Sequence, residues 1–148
     1  MPPELPEPRS RSLEQIRFYV DEDILGVGYS LMWVRPDAVT CGIEPVAEEL
    51  PRGSLDIDWI PRVAAHGWVA ITKNHKIRSN PVEAHVAVEA EARIVAFAGR
   101  SGNMTSWQMM TVLARHWTAI ENQMAADPSG PWWLSVPAST TSLVNYRM

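Results

Sequence analysis

Three consecutive acids, Asp21, Glu22 and Asp23, stand where an apolar run stops, and two more, Asp56 and Asp58, precede the sequence Trp59-Ile60-Pro61. Carboxylates set side by side repel one another unless a cation lies between them or water surrounds them. A polar stretch, Thr72-Lys73-Asn74-His75-Lys76, follows a second apolar run. Brought together, these oxygen-bearing side chains would suit Mg²⁺ or Mn²⁺, ions that position a water and neutralise charge building on a phosphate. Each group also has a plainer reading. The acids at 21–23 would serve as a solvated turn, Asp58 as a helix cap, and Thr72, whose hydroxyl could otherwise bond a carboxylate or a substrate phosphate, as the end of a strand. Glu22 points the other way along the strand from its neighbours and reads as a bystander.

Lys73, His75, Lys76 and Arg78 form the densest basic run of the chain. It reads either as a solvated loop or as a contact for nucleic-acid phosphates, which supply affinity without base recognition. Arg93 and Arg100 extend it only if the strand register allows. The four histidines, His66, His75, His85 and His116, lack the paired spacing of a zinc site. Cys41 is the single cysteine, which excludes an internal disulfide, and with no local motif around it the residue reads as a small core side chain.

Short apolar runs rich in β-branched and aromatic residues must carry these groups. Ile16–Val20, "AVTC" at 38–41, "WVAIT" at 68–72 and "RIVAFA" at 93–98 have the pattern of buried strands. Between the last two, Asn80 suits a helix cap, Pro81 the first helical position and Glu83 the first turn. A second helix runs through "DIDWIPRVAAHG" and stops at Gly67. Because proline is tolerated only in a first turn, Pro61 favours Asp58 over Asp56 as its cap, leaving Asp56 free for other work. Met110, Leu113, Trp117, Ile120 and Met124 recur at helical spacing, and the Thr105–Gln108 pair has the form of a capping box.

Strands alternating with helices imply an α/β/α protein with a mainly parallel sheet, in which ligands bind beyond the carboxyl ends of the strands. Asp21–Asp23 and the loop after Thr72 fall at that edge. Asp56 and Asp58 join them only if the loop before their helix crosses over. Residues 1–15, with prolines at 2, 3, 6 and 8, read as a flexible arm, 16–126 as the domain, and 127–148 as an added antiparallel hairpin. In that hairpin Trp132 and Trp133 point to opposite faces, so that one covers the sheet edge while the other meets a partner; base stacking is the weakest use for them.

At 148 residues and 46% hydrophobic, the chain can bury one core of its own. A net charge of −4 argues against coating nucleic acid through bulk charge and confines any such contact to a local patch. No stretch approaches the roughly 20 apolar residues of a membrane span. The chain reads as soluble and cytoplasmic, with no membrane contact.

The order Phe18-Tyr19-Val20-Asp21-Glu22-Asp23, then Asp56 before Trp59-Ile60-Pro61, then Gly67–Thr72 before a polar loop and Ile77-Arg78, resembles the PIN-like domains related to VapC-type toxins. "GPWWLSV" resembles the tail of an actinobacterial branch of that family. The resemblance implies a three-layer α/β/α fold and an endoribonuclease that depends on a divalent metal, Mg or Mn, and is often neutralised by a cognate antitoxin. It places Asp21 and Asp56 as metal-binding and catalytic acids, with Asp23 and Asp58 as auxiliary ligands. At Asn74 the chain departs from the pattern, which has an acid there; asparagine keeps a carbonyl oxygen but lacks charge and cannot accept a proton. Three readings follow: a metal-dependent ribonuclease with Asp21, Asp56 and Asn74 at its centre, a degenerate PIN-like binding module, and a homodimer formed through the long helix or the Trp132–Trp133 hairpin.

Overall fold

The computed structural model describes residues 16–35, 38–41, 53–98, 104–137 and 144–146. The Pro-rich arm and Arg100 lie outside them. The elements are β1 (Phe18–Val20), α1 (Leu25–Val34), β2 (Val39–Cys41), α2 (Asp56–Ala65), β3 (Val69–Thr72), α3 (Pro81–Glu89), β4 (Arg93–Phe97), α4 (Ser106–Ala126), β5 (Trp132–Val136) and β6 (Val144–Tyr146). They form one six-stranded sheet in the order β2-β1-β3-β4-β5-β6. The first five strands are parallel and β6 is antiparallel to β5.

Every residue of β1 and β3 is buried, the signature of parallel strands covered on both faces. Side chains alternate between two cores. Phe18, Val20, Val69, Ile71, Val95 and Phe97 pack with Val27, Leu31 and Met32 of α1 and with Met109, Leu113 and Ile120 of α4. Tyr19, Ala70, Ile94 and Ala96 pack with Trp59, Ile60 and Val63 of α2 and Ala87 of α3. Three layers result, as the spacing of apolar residues implies. At Gly28 a Cβ would come within 2.9 Å of the Cys41 Cβ, so the small pair sets how closely α1 approaches β2.

The hairpin expected after Gly130 forms, and its first strand also pairs with β4 along five residues, continuing the main sheet. Trp132 and Trp133 do point to opposite faces, but each face is covered and both are 2% exposed. Neither indole is left for a partner or a base, which corrects the expectation that one of them faces outward. Because α4 lies on the face of α1 while α3 lies on that of α2, the β4–α4–β5 crossover has the opposite hand to the other three. Right-handed connections are the rule. Helix α4 buries Met109, Val112, Leu113, His116 and Ile120 and opens with the expected capping box of Thr105 and Gln108.

The cap of α2 is the second correction. The helix begins at Asp56 with Leu55 before it, so Asp58 is its third residue and Pro61 its sixth. Proline at that position removes the amide that would bond the Ile57 carbonyl. Ile57 is exposed, and water can take that carbonyl instead.

Candidate metal centre

Strands β1 and β3 are neighbours although β2 lies between them in sequence, so the strand order reverses at β1/β3. A reversal of this kind opens a crevice beyond the strand ends. Asp21 follows β1 and Thr72 ends β3 there, and the Asp21 amide continues the ladder by donating to the Ile71 carbonyl at 2.9 Å.

Asp21 is 5% exposed. Its Oδ2 accepts a 2.8 Å hydrogen bond from the Thr72 hydroxyl, and its Oδ1 accepts from the Asp23 amide at 3.4 Å as the cap of the one-turn 3-10 helix Glu22–Ile24. Burial pushes its carboxyl up from 3.8 to about 6; the Thr72 bond opposes the rise, and the charges of Asp23 and Asp56 add to it. Among the described residues no cationic side chain bonds this carboxylate.

Thr72, fully buried, also accepts the Asn74 amide at 3.0 Å. The Asn74 side chain then donates from Nδ2 to Asp56 Oδ2 at 2.9 Å, while its Oδ1 accepts the Lys76 amide at 3.2 Å. Asp56 Oδ1 receives the Trp59 indole N–H at 2.8 Å. One chain of bonds therefore runs Asp21–Thr72–Asn74–Asp56–Trp59. The loop before α2 does reach the strand ends: Glu22 Oε1 accepts the Gly53 amide at 2.7 Å, and Gly53 has φ +80°, which glycine adopts without strain. Glu22 is thus a tether for that loop and not a bystander.

Of the candidate residues, the fold brings Asp21, Asp56, Thr72 and Asn74 together. Asp23 and Asp58 are exposed, and Asp23 enters only through its amide and its charge. Among the described residues, no three His, Cys, Asp or Glu side chains converge as a ligand group. Lys73 is half-buried, and His75, Lys76 and Arg78 are exposed on the turn leaving β3, beside the site. Arg93 opens β4, paired with Val69 at the start of β3, and so lies at the opposite edge of the sheet and does not extend this patch.

Glu83 was missed as a site residue. It lines an open cleft of about 390 Å³ with Asp56, Leu55, Ile57, Asn80 and Val82. Desolvation, and then the charge of Asp56, raise its carboxyl above the ordinary range. Its position three residues after the Asn80 cap gave the only signal, and that signal read as helix chemistry.

Residues 17–99 match the PIN-like domain family. The chain belongs to that family. The matched span runs from the start of β1 past the end of β4 and holds every residue of the PIN-like site described above. Helix α4 and strands β5 and β6 lie beyond it. No curated protein and no solved structure shows a significant match to the chain. No helix among the described residues is long and apolar enough to cross a membrane.

Proposed function

We propose that this PIN-like protein is a divalent-metal-dependent endoribonuclease of the toxin-like kind. The observation that carries the reading is the buried Asp21 carboxylate, tied through Thr72 and Asn74 to Asp56 at the crevice between β1 and β3.

The donor set fits Mg²⁺ or Mn²⁺. Mg²⁺ keeps several waters and is commonly held by one or two protein carboxylates together with substrate phosphates. Asp21 and Asp56 would hold the ion, each with lone pairs left after the bonds described, and Asp23 and Asp58 would act from outside through their charge. A bound ion would polarise a phosphoryl oxygen and make a water more acidic. The chain's own contribution is orientation. The Thr72 hydroxyl fixes the rotamer of Asp21, and Trp59 and Asn74 together fix that of Asp56. Lys73, His75, Lys76 and Arg78 lie next to these acids and would hold RNA phosphates over them.

The toxin-like reading brings an antitoxin partner with it. Exposed Leu55, Ile57 and Val82 beside Asp56 supply an apolar surface that such a protein would cover. The setting would be the cytoplasm.

One observation favours a second reading, a PIN-like binding module without turnover. The Asn74 amide donates to Asp56, satisfying a carboxylate oxygen without any ion. The two readings separate on a mixed RNA pool with Mn²⁺ or Mg²⁺ and with chelator. Cleavage that requires the ion and disappears in Asp21→Ala supports the enzyme. Absence of cleavage in the parent, with recovery in Asn74→Asp, supports the binding module. Calorimetry detecting no divalent ion on the parent protein overturns the metal site itself.

A further inference from the structure

The opposite edge of the sheet, where the parallel strands begin, holds a cavity of about 330 Å³ whose described lining includes Arg17, Arg35, Arg93, Glu121, Phe18 and Met124. Three guanidinium groups face one carboxylate there, in a chain whose net charge is −4. Asp127 adds a second negative charge, which acts on Arg93.

Each arginine arrives by a different route. Arg17 leads into β1 and is exposed; Arg35 follows the last turn of α1; Arg93 opens β4. The register Phe18↔Val69↔Arg93 sets Arg93 level with Phe18, two strands away, or about 10 Å at the usual strand spacing. Since Ile94 faces the α2/α3 core, Arg93 lies on the α4 side, where Glu121 and Met124 stand in the last turns of that helix.

Two of the three cations are fixed in place. The Arg35 guanidinium lies 5.6 Å from the centre of the Trp117 ring, a cation–π contact. Arg93 donates from Nη2 to the Gly67 carbonyl. Burial lowers the pKa of Arg93, the mark of a cation that has given up water. A simpler account is that arginines complement the negative carbonyl ends of α1 and α4. It accounts directly for Arg35, which follows α1; Arg17 and Arg93 come from strand starts and meet the last turns of α4 only across the cavity they share with Glu121 and Met124.

We propose that this cavity is an anion site for a phosphate monoester of nucleotide size, bound at the sheet edge away from Asp21. Guanidinium forks match phosphate oxygens in pairs, the volume lies at the lower end of small-molecule sites, and the half-buried Met124 gives the organic part an apolar contact. The inference is independent of the nuclease reading.

The test is calorimetric titration of the full chain, in chelator so that the acidic edge stays metal-free. The ligands are inorganic phosphate, a nucleoside 5′-monophosphate, and a short RNA with either a 5′-phosphate or a 5′-hydroxyl. The expected order puts the monophosphate above inorganic phosphate. Arg17→Gln weakens it by about fivefold or more, as for a lost hydrogen bond to a charged group. Glu121→Gln tightens it by roughly twofold to fivefold by removing an opposing surface charge. Both residues are exposed, so folding is not at stake. Tighter binding of 5′-phosphate RNA than of 5′-hydroxyl RNA identifies an RNA terminus as the source, and equal binding of the two RNAs identifies a free nucleotide. Monophosphate affinity that is unchanged in both variants, that no more than equals that of inorganic phosphate, or that is lost in Lys73→Gln/Lys76→Gln overturns the proposal.

Discussion

The two edges of one parallel sheet carry opposite chemistry. At the carboxyl ends, Asp21 and Asp56 are linked by neutral donors, and the basic side chains of the turn after β3 are half-buried or exposed. At the amino ends, three arginines and one carboxylate stand among the described residues that line a cavity. The acidic edge is built from inside: Asp21 is buried, held by a buried threonine, and carries a strongly raised pKa. The basic edge is built from the rim, by side chains that reach over from strand starts and a helix end. A buried carboxylate with no counter-charge among the described residues costs folding free energy that a bound cation returns, whereas at the other edge Arg17 is exposed and Arg93 only half-buried, so less hydration is lost there. The acidic edge should therefore respond far more sharply to single substitutions.

The largest expected effect is on cleavage. Asp21→Ala or Asp56→Ala should lower metal-dependent RNA hydrolysis by on the order of 10³-fold, the equivalent of several kcal/mol of lost charge stabilisation, as measured by single-turnover kinetics. Arg17→Gln should leave that rate within about twofold; a comparable loss there would erase the distinction between the edges. Thr72→Val comes next. It keeps the shape but removes the hydroxyl that serves Asp21 and Asn74 together. Divalent-ion affinity should fall about 10- to 100-fold, as for other outer-shell partners, in calorimetry with Mn²⁺.

A third test concerns stability without metal. The carboxyl of Asp21 is raised from 3.8 to about 6, so between those values the folded chain holds a proton that the unfolded chain has released. Stability of the metal-free protein should fall as pH rises through that window and stay lower above it. Asp21→Asn removes the buried charge and keeps an acceptor for Thr72. At pH 7.5 it should raise metal-free stability by roughly 1–3 kcal/mol, read by denaturant melts, and the gain should vanish near pH 4. The same gain at both pH values would mean that the site carries no desolvated charge. The smallest effect is predicted for Lys76→Gln, which should lower the slope of log affinity against log salt for RNA by about one and leave base preference unchanged.

Much of this arrangement could be read in the sequence. Runs of buried β-branched residues marked four of the parallel strands, and Asp21 stood out because it ends the first of them. The order of polar loops alone places Asp21 and Thr72 on one edge. The reading of α2 failed because it weighed Pro61 as a rule about backbone amides, while the fold lets water serve the Ile57 carbonyl and uses the Asp56 side chain against Trp59 and Asn74. Glu22 and Glu83 were hidden because their partners, Gly53 and Asp56, lie 31 and 27 residues away in sequence. The arginine cavity was invisible for a related reason. Arg17, Arg35 and Arg93 have no spacing in common, and only the register of β1, β3 and β4 sets two of them at one level. Trp132 and Trp133 were read correctly as pointing to opposite faces, but what covers those faces depends on β5 joining β4.

The indole of Trp59 is bonded through its N–H directly to the Asp56 carboxylate and lies against the Tyr19 ring, with centroids 5.8 Å apart. Nature has thereby wired a fluorophore to a candidate ion ligand. Any ion, proton or neighbouring protein that draws charge from Asp56 should alter the emission of this one tryptophan, and Trp59→Phe supplies the blank against the other six. The fold contains its own optical gauge of whether the acidic edge is occupied.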